Sequence, residues 1–174
     1  NFFIVAVPTP VNSKKIPDLK PLIKASKLIG KIIKKNDIVF YESTVYPGVT
    51  EKTCIPILEK TSNLKNGADF EVGYSPERLN PGDPKHSLKK INKIVSFTNP
   101  KRIKFVKEIY KSLSKQIIFS KNIKETETAK IIENIQRDVN IGLINEIFIV
   151  CKKLKLNINE VMRLAATKWN FVKY

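Results

Sequence analysis

The stretch DIVFYESTVYPG, from Asp37 to Gly48, carries the pattern that decides the fold. An apolar run is followed by Glu-Ser-Thr and then by a Pro-Gly pair, which predicts a buried strand over Asp37–Thr44 that ends in a turn. Helical patterns stand on either side of it, over Leu19–Lys35 and Thr50–Lys60. Short apolar strands that alternate with helices are typical of parallel βαβ units, so the sequence predicts an α/β fold.

The same alternation continues along the first two-thirds of the chain. We predict four further strands and one further helix, which are the strands Phe2–Val7, Asp69–Ser75, Lys93–Thr98 and Gln116–Ser120 and the helix Pro100–Ser114. After about residue 120 the strand signals stop, and the sequence from Ile123 to Leu154 is compatible with one long helix. Its part from Ile141 to Cys151 is apolar nearly all round, which predicts a buried helix. Asn157 or Asn159 is suited to cap a further helix.

The change near residue 120 predicts a domain boundary. We assign residues 1–120 to part of an α/β sheet domain and residues 121–174 to the beginning of an all-helical domain. The chain has 174 residues, starts inside an apolar run and carries no initiator Met, so we expect an internal fragment of a longer protein. No run approaches the ~18 apolar residues that a membrane span needs, which predicts that the protein does not enter a membrane.

The composition is compatible with two kinds of ligand, a small anionic molecule and nucleic acid. The formal charge of +16 favours anionic ligands and would suit a basic α/β module that binds nucleic acid. Arginine, the preferred phosphate fork, accounts for only four of the 32 positive charges, and the lysines are scattered along the chain. Cys54 and Cys151 form neither a disulfide framework nor a metal-ligand spacing, so we interpret them as buried thiols in a reducing cytoplasm. His86 has no Cys or His partner, and we assign it no metal role.

Polar residues follow three predicted strands at the point where each strand ends. These residues are Thr9, Ser43, Thr44, Glu77 and Arg78. Because ligands bind beyond the carboxyl ends of the strands in a parallel sheet, we expect them to converge on one crevice. Glu77 and Arg78 lie in the stretch GYSPERLNPGDP, where three prolines stiffen the loop. A rigid turn with two solvated charges is the alternative.

A second polar group lies on the long helix. Lys130, Asn134, Asp138 and Asn145 fall at i, i+4, i+8 and i+15, which places them on one stripe. The stripe is either a solvated face or part of a site. An ammonium beside an amide is suited to stabilise a developing oxyanion.

Five segments together resemble one enzyme family. They are VAVPTP, YESTVYPG, GYSPERLNPGD, AKIIENIQRDVNI and TKWNF, which run in order along the whole chain. They resemble the nucleotide-sugar 6-dehydrogenases of the UDP-glucose/GDP-mannose dehydrogenase superfamily, and most of all the branch that oxidises UDP-N-acetylhexosamines for bacterial capsule and surface polysaccharides. The resemblance implies the C-terminal half of a Rossmann-like NAD-binding domain, followed by the start of a central helical domain that forms a homodimer.

The resemblance also implies a reaction and a set of residues. NAD would oxidise C6 of a UDP-sugar to the acid in two hydride transfers, through a cysteine-bound hemiacetal and thioester. Thr44 matches the hydroxyl that holds a catalytic water, and Glu77 matches the acid-base carboxylate. Lys130 and Asn134 match the pair that stabilises the oxyanion and contacts substrate.

The remaining matches concern the cofactor and the branch of the family. Thr9, Ser43 and Thr44 match cofactor contacts, and Arg78 either contacts substrate or anchors its loop. Pro81 stands where UDP-glucose dehydrogenases carry a second glutamate, which favours the N-acetylhexosamine branch over a UDP-glucose 6-dehydrogenase. Neither a GxGxxG fingerprint nor a Gly-Gly-His-Cys nucleophile occurs in the chain, so we expect no activity from these residues alone. The resemblance also implies a cytoplasmic enzyme that does not bind nucleic acid.

Overall fold

Five strands form one sheet in the order in which they occur in the chain. The computed structural model describes residues 1–80, 82–83, 87–97, 99–114 and 116–172. The strands are Phe2–Val5 (β1), Ile38–Tyr41 (β2), Glu71–Tyr74 (β3), Asn92–Phe97 (β4) and Gln116–Ser120 (β5). The helices are Lys20–Gly30 (α1), Ile55–Ser62 (α2), Ile103–Lys111 (α3), Ile123–Lys153 (α4) and Ile158–Ala165 (α5), with a π-helical turn over Thr50–Cys54 and 3-10 turns over Leu88–Lys90 and Pro100–Arg102.

The first three strands are parallel, as predicted. Val5 of β1 pairs with Tyr41 of β2, and Tyr41 pairs in turn with Tyr74 of β3. The carboxyl ends of the three strands therefore lie level at one edge of the sheet. The α/β fold class is confirmed, although each of these strands is shorter than the sequence pattern suggested.

The expected parallel arrangement does not extend from β3 to β4. Tyr74 of β3 pairs with Ser96 of β4 in antiparallel sense, while β4 and β5 are parallel to each other. A parallel pair needs a crossover connection, which is usually an α-helix. Between Tyr74 and Asn92 the described residues form loop and a single 3-10 turn, and such a connection returns the chain antiparallel. The end of the predicted strand at Thr98 lies outside the described residues.

The sheet buries an apolar cluster on each face. Val39, Tyr41 and Val72 pack with residues of α1 and α2 on one face, while Phe40 and Phe97 pack with residues of α3 on the other. Helices on both faces explain why β2 is buried over its whole length. This two-faced burial fixes the strand ends, and hence the loops that follow them.

The described residues divide into two compact units, residues 1–131 and 132–174. In the second unit α5 begins as predicted, because the side chain of Asn157 accepts a hydrogen bond from the backbone N–H of Asn159 at 2.9 Å.

The prediction that α4 is buried from Ile141 to Cys151 is wrong for most of that length. Among the apolar residues that are about half exposed are Ile141, Leu143, Phe148, Ile149 and Val150. The described part of this unit is too small to cover both sides of a long helix.

Candidate functional site

The loops after β1, β2 and β3 lie at one edge of the sheet and are tied together by hydrogen bonds. The hydroxyl of Thr9 donates to the carbonyl of Thr44 at 2.6 Å, and the hydroxyl of Ser43 donates to the carbonyl of Val7 at 2.6 Å. From the third strand, the Tyr74 hydroxyl donates to the carbonyl of Ser43 at 3.2 Å. Parallel strands thus bring Thr9, Ser43 and Thr44 together. Ser43 is buried and Thr44 is half-buried.

The loop after β3 is stiffened by its own carboxylate as well as by proline. Oε1 of Glu77 accepts hydrogen bonds from the backbone N–H groups of Arg78 and Leu79, each at 2.7 Å. The guanidinium of Arg78 donates to the carbonyl of Asn92, at the start of β4, at 2.8 Å. This hydrogen bond of Arg78 anchors the loop to β4. Glu77 is half-buried at the same sheet edge as Thr44, and Pro81 lies outside the described residues.

The polar residues of α4 differ in their surroundings. Lys130, in the first unit, is only 9% exposed, whereas Asp138 and Asn145, in the second, are exposed. Asn134 is half-buried, and its Oδ1 accepts a hydrogen bond from the Arg137 guanidinium at 2.8 Å. A solvated face accounts for the far end of the stripe. It does not account for Lys130, because a lysine is rarely buried unless its ammonium group is paired.

Sequence reasoning missed Glu127, which has no exposed surface. Its carboxylate accepts hydrogen bonds from the backbone N–H of Gly48 at 2.5 Å and from that of Thr50 at 3.0 Å. The position of this glutamate one helical turn before Lys130 could have pointed to it, since residues three apart share a helix face. The partner of that glutamate was not readable, because the contact joins residues more than 70 positions apart.

A second missed group is a buried ion pair beside β2 and β4. Nζ of Lys93 lies 3.4 Å from Oε1 of Glu42, and the Tyr110 hydroxyl donates to the same oxygen at 2.7 Å. Burial, and then the negative charge of Glu42, raise the pKa of Tyr110 well above its usual range. A pair of this kind fixes the geometry around the end of β2, from which Ser43 and Thr44 continue.

Both cysteines are free and buried. Burial raises the pKa of the Cys54 thiol to about 12, so that at neutral pH it is protonated and a poor nucleophile. The interpretation of the two residues as structural thiols agrees with this. Within the described ranges, no group of three or more Cys, His, Asp or Glu side chains could hold a metal ion, and His86 lies outside those ranges. No helix of the described residues is long and apolar enough to cross a bilayer.

Two family models match the chain. Residues 1–114 match the NAD-binding domain of the UDP-glucose/GDP-mannose dehydrogenase family, and residues 124–174 match the central domain of the same family. These matches support the enzyme interpretation and not the nucleic-acid alternative.

Individual relatives are similar over the whole chain. A UDP-N-acetyl-D-glucosamine 6-dehydrogenase of Pseudomonas aeruginosa is 50% identical over all of this chain and 42% of its own length. Protein CapL of Staphylococcus aureus is 50% identical over all of this chain and 41% of its own. The structure of a UDP-D-ManNAc dehydrogenase from Pyrococcus horikoshii superposes with a TM-score of 0.89 at 32% identity, covering 100% of this chain and 41% of that one. The chain thus spans about two-fifths of the length of the relatives that it matches.

Proposed function

Because the chain belongs to the UDP-glucose/GDP-mannose dehydrogenase family, we propose that the whole protein oxidises the C6 hydroxyl of a UDP-N-acetylhexosamine to a carboxylate, with NAD as oxidant. The observation that carries the proposal is the edge where the loops after β1, β2 and β3 meet. Hydrogen bonds hold the hydroxyl-bearing residues Thr9, Ser43 and Thr44 together there. Glu77 follows the neighbouring strand at the same edge.

The residues of the first two loops are suited to the cofactor. Dinucleotides bind beyond the carboxyl ends of parallel strands, and β1 and β2 end side by side. When bound, NAD would accept the hydride from the sugar carbon. Thr9, Ser43 and Thr44 would orient it from the edge of the sheet, and the hydroxyl of the half-buried Thr44 would also hold a water. The hydrogen bond between Thr9 and the Thr44 carbonyl would keep the two loops in register.

Glu77 and Lys130 would have different roles at the sugar, proton exchange and charge stabilisation. Glu77 would exchange protons with the C6 hydroxyl and the hydrolytic water, a task that needs a carboxylate held in place. Its backbone hydrogen bonds and the Arg78 anchor supply that rigidity. Lys130, with Asn134, would stabilise negative charge on the C6 oxygen, because a buried ammonium interacts more strongly than an exposed one.

We propose UDP-N-acetyl-D-glucosamine as the first substrate to test. Two relatives named UDP-N-acetyl-D-glucosamine 6-dehydrogenase are 50% and 49% identical to this chain, whereas UDP-N-acetyl-D-mannosamine dehydrogenases among the relatives reach 35%. The product would serve capsule or surface polysaccharide synthesis in the cytoplasm. The name CapL of one relative is in keeping with this role.

The half-exposed apolar face of α4 supports a homodimer of the whole protein. Among its residues are Ile141 and Phe148, whose exposure to water would be unfavourable. We therefore propose that the helical domain forms the dimer contact. We also propose that this helical domain begins near residue 121.

A substrate panel tests the function. The whole protein with NAD should form NADH from UDP-N-acetylglucosamine faster than from the epimeric UDP-N-acetylhexosamines or UDP-glucose. No NADH from any of these sugars would contradict the proposal, and faster oxidation of UDP-glucose would move the protein to the other branch. Tight binding of nucleic acid that weakens steeply with salt would favour the basic-module alternative.

A further inference from the structure

Glu127 is a buried carboxylate that has no role in the proposed reaction. Its side chain is 0% exposed, and its two carboxylate oxygens accept the backbone N–H groups of Gly48 and Thr50. Both groups lie where the π-helical turn that leads into α2 begins. A helix start leaves several N–H groups without partners and favours negative charge. Hydrogen bonds to a carboxylate are about twice as strong as neutral ones, so this contact is a firm anchor.

The segment anchored by Glu127 is the one that carries Thr44. At its beginning, the loop is held by Thr9 and by the Ser43 hydroxyl. At its end, Gly48 adopts a φ of +93°, which a residue with a side chain rarely reaches. Glu127 holds the loop at this end. Both ends of the loop are therefore fixed, and the second anchor comes from α4.

The same turn of α4 carries Lys130. Residues three apart in a helix lie on the same side, and Lys130 is buried like Glu127. We propose that Glu127 is a positioning residue for the reaction, because it holds the Thr44 loop against the helix that presents Lys130. This inference rests on the proposed function, in which Thr44 holds a water and Lys130 stabilises the oxyanion. Catalytic groups displaced by about 1 Å can lose about 10²-fold in rate.

The test compares three variants of the whole protein. Glu127→Gln keeps the shape of the side chain but can accept only one of the two N–H groups, because its NH2 group is a donor. Glu127→Asp keeps the charge and should retain more of the rate. Glu125→Gln is the matched control, since Glu125 is exposed on the first turn of the same helix. We expect Glu127→Gln to lower kcat about 10- to 100-fold with little change in the KM for the UDP-sugar, and Glu125→Gln to leave both unchanged.

Two further readouts separate a positioning role from a purely structural one. Amide hydrogen exchange over residues 44–50 should be faster in Glu127→Gln than in Glu125→Gln, even where both proteins melt at similar temperatures. A variant that is less stable but turns over at the wild-type kcat would overturn the role of Glu127 alone. Wild-type protein that oxidises no UDP-sugar would overturn the proposed function, and this role with it. If Glu127→Gln does not fold, wild-type kcat in Glu127→Asp, whose carboxylate is set back by one methylene from the N–H groups of Gly48 and Thr50, would equally overturn it.

Discussion

At the scale of single residues, Lys130 makes the most direct prediction. A preorganised donor to a developing oxyanion is worth about 10²–10³ in rate. Lys130→Ala in the whole protein should therefore lower kcat by about that factor, while UDP-sugar binding measured by calorimetry weakens much less. Lys124→Ala, an exposed lysine on the same helix, is the matched control and should behave like the wild type. Near-normal turnover of the Lys130 variant would remove Lys130 from the mechanism.

Cys54 predicts a loss of stability at alkaline pH. Its thiol has a pKa of about 12 in the folded protein, raised by burial, against ~8.5 for a free thiol. The unfolded chain therefore loses the proton first. The contribution to stability is complete below about pH 8.5 and is lost as pH rises toward 12, with a slope of up to about 1.4 kcal/mol per pH unit.

Denaturant unfolding between pH 8 and pH 10.5 measures this loss. Cys54→Ala should lower stability at pH 8 but should flatten the fall toward higher pH. The buried Tyr41, Tyr74 and Tyr110, whose pKa values burial also raises, add to the fall only at the upper end of that range. If the free energy of unfolding fell equally steeply with pH in the wild type and the variant, Cys54 would not deprotonate on unfolding, contrary to this prediction.

At the scale of the elements, the contact between β2 and β3 depends on a glycine. A Cβ added at Gly73 would collide with the ring of Phe40, which is fully buried, whereas a Cβ at Gly142 of α4 would meet nothing within 4 Å. Gly73→Ala should destabilise the whole protein by about 1–3 kcal/mol through overpacking. Gly142→Ala should be neutral or stabilise by up to ~1 kcal/mol, because alanine favours a helix. Equal melting temperatures for the two variants would contradict this packing.

The sequence determines these elements better than it determines their partners. The apolar run before Glu42 and the turn formers after Thr44 were enough to predict β2 and the loop that follows it. The direction of β4 was not predictable from its own residues, because the connection that precedes it decides the direction. The hydrogen bonds of Glu127 were also not predictable, since they join distant segments to backbone groups that carry no sequence signal. The apolar face around Phe148 was misinterpreted for a related reason, because apolar periodicity does not say which chain covers a face.

At the scale of the whole molecule, that face predicts association. Phe148→Glu would place a charge in the proposed dimer contact, and light scattering with size-exclusion chromatography should then find monomer at concentrations where the wild type is a dimer. Gln136→Glu makes the same change of charge at an exposed polar position of the same helix and should leave the dimer intact. A wild-type monomer, or a Phe148 variant that remains dimeric, would assign the apolar face to another segment of the protein.

The number of NADH molecules formed for each UDP-sugar consumed tests the central claim most directly. Oxidation of a primary alcohol to a carboxylate releases two hydrides and consumes one water. The whole protein, given limiting UDP-N-acetylglucosamine and excess NAD, should therefore form two NADH per sugar, and mass spectrometry should find the UDP-linked uronic acid. One NADH per sugar with an accumulating aldehyde, or no NADH at all, would contradict the account.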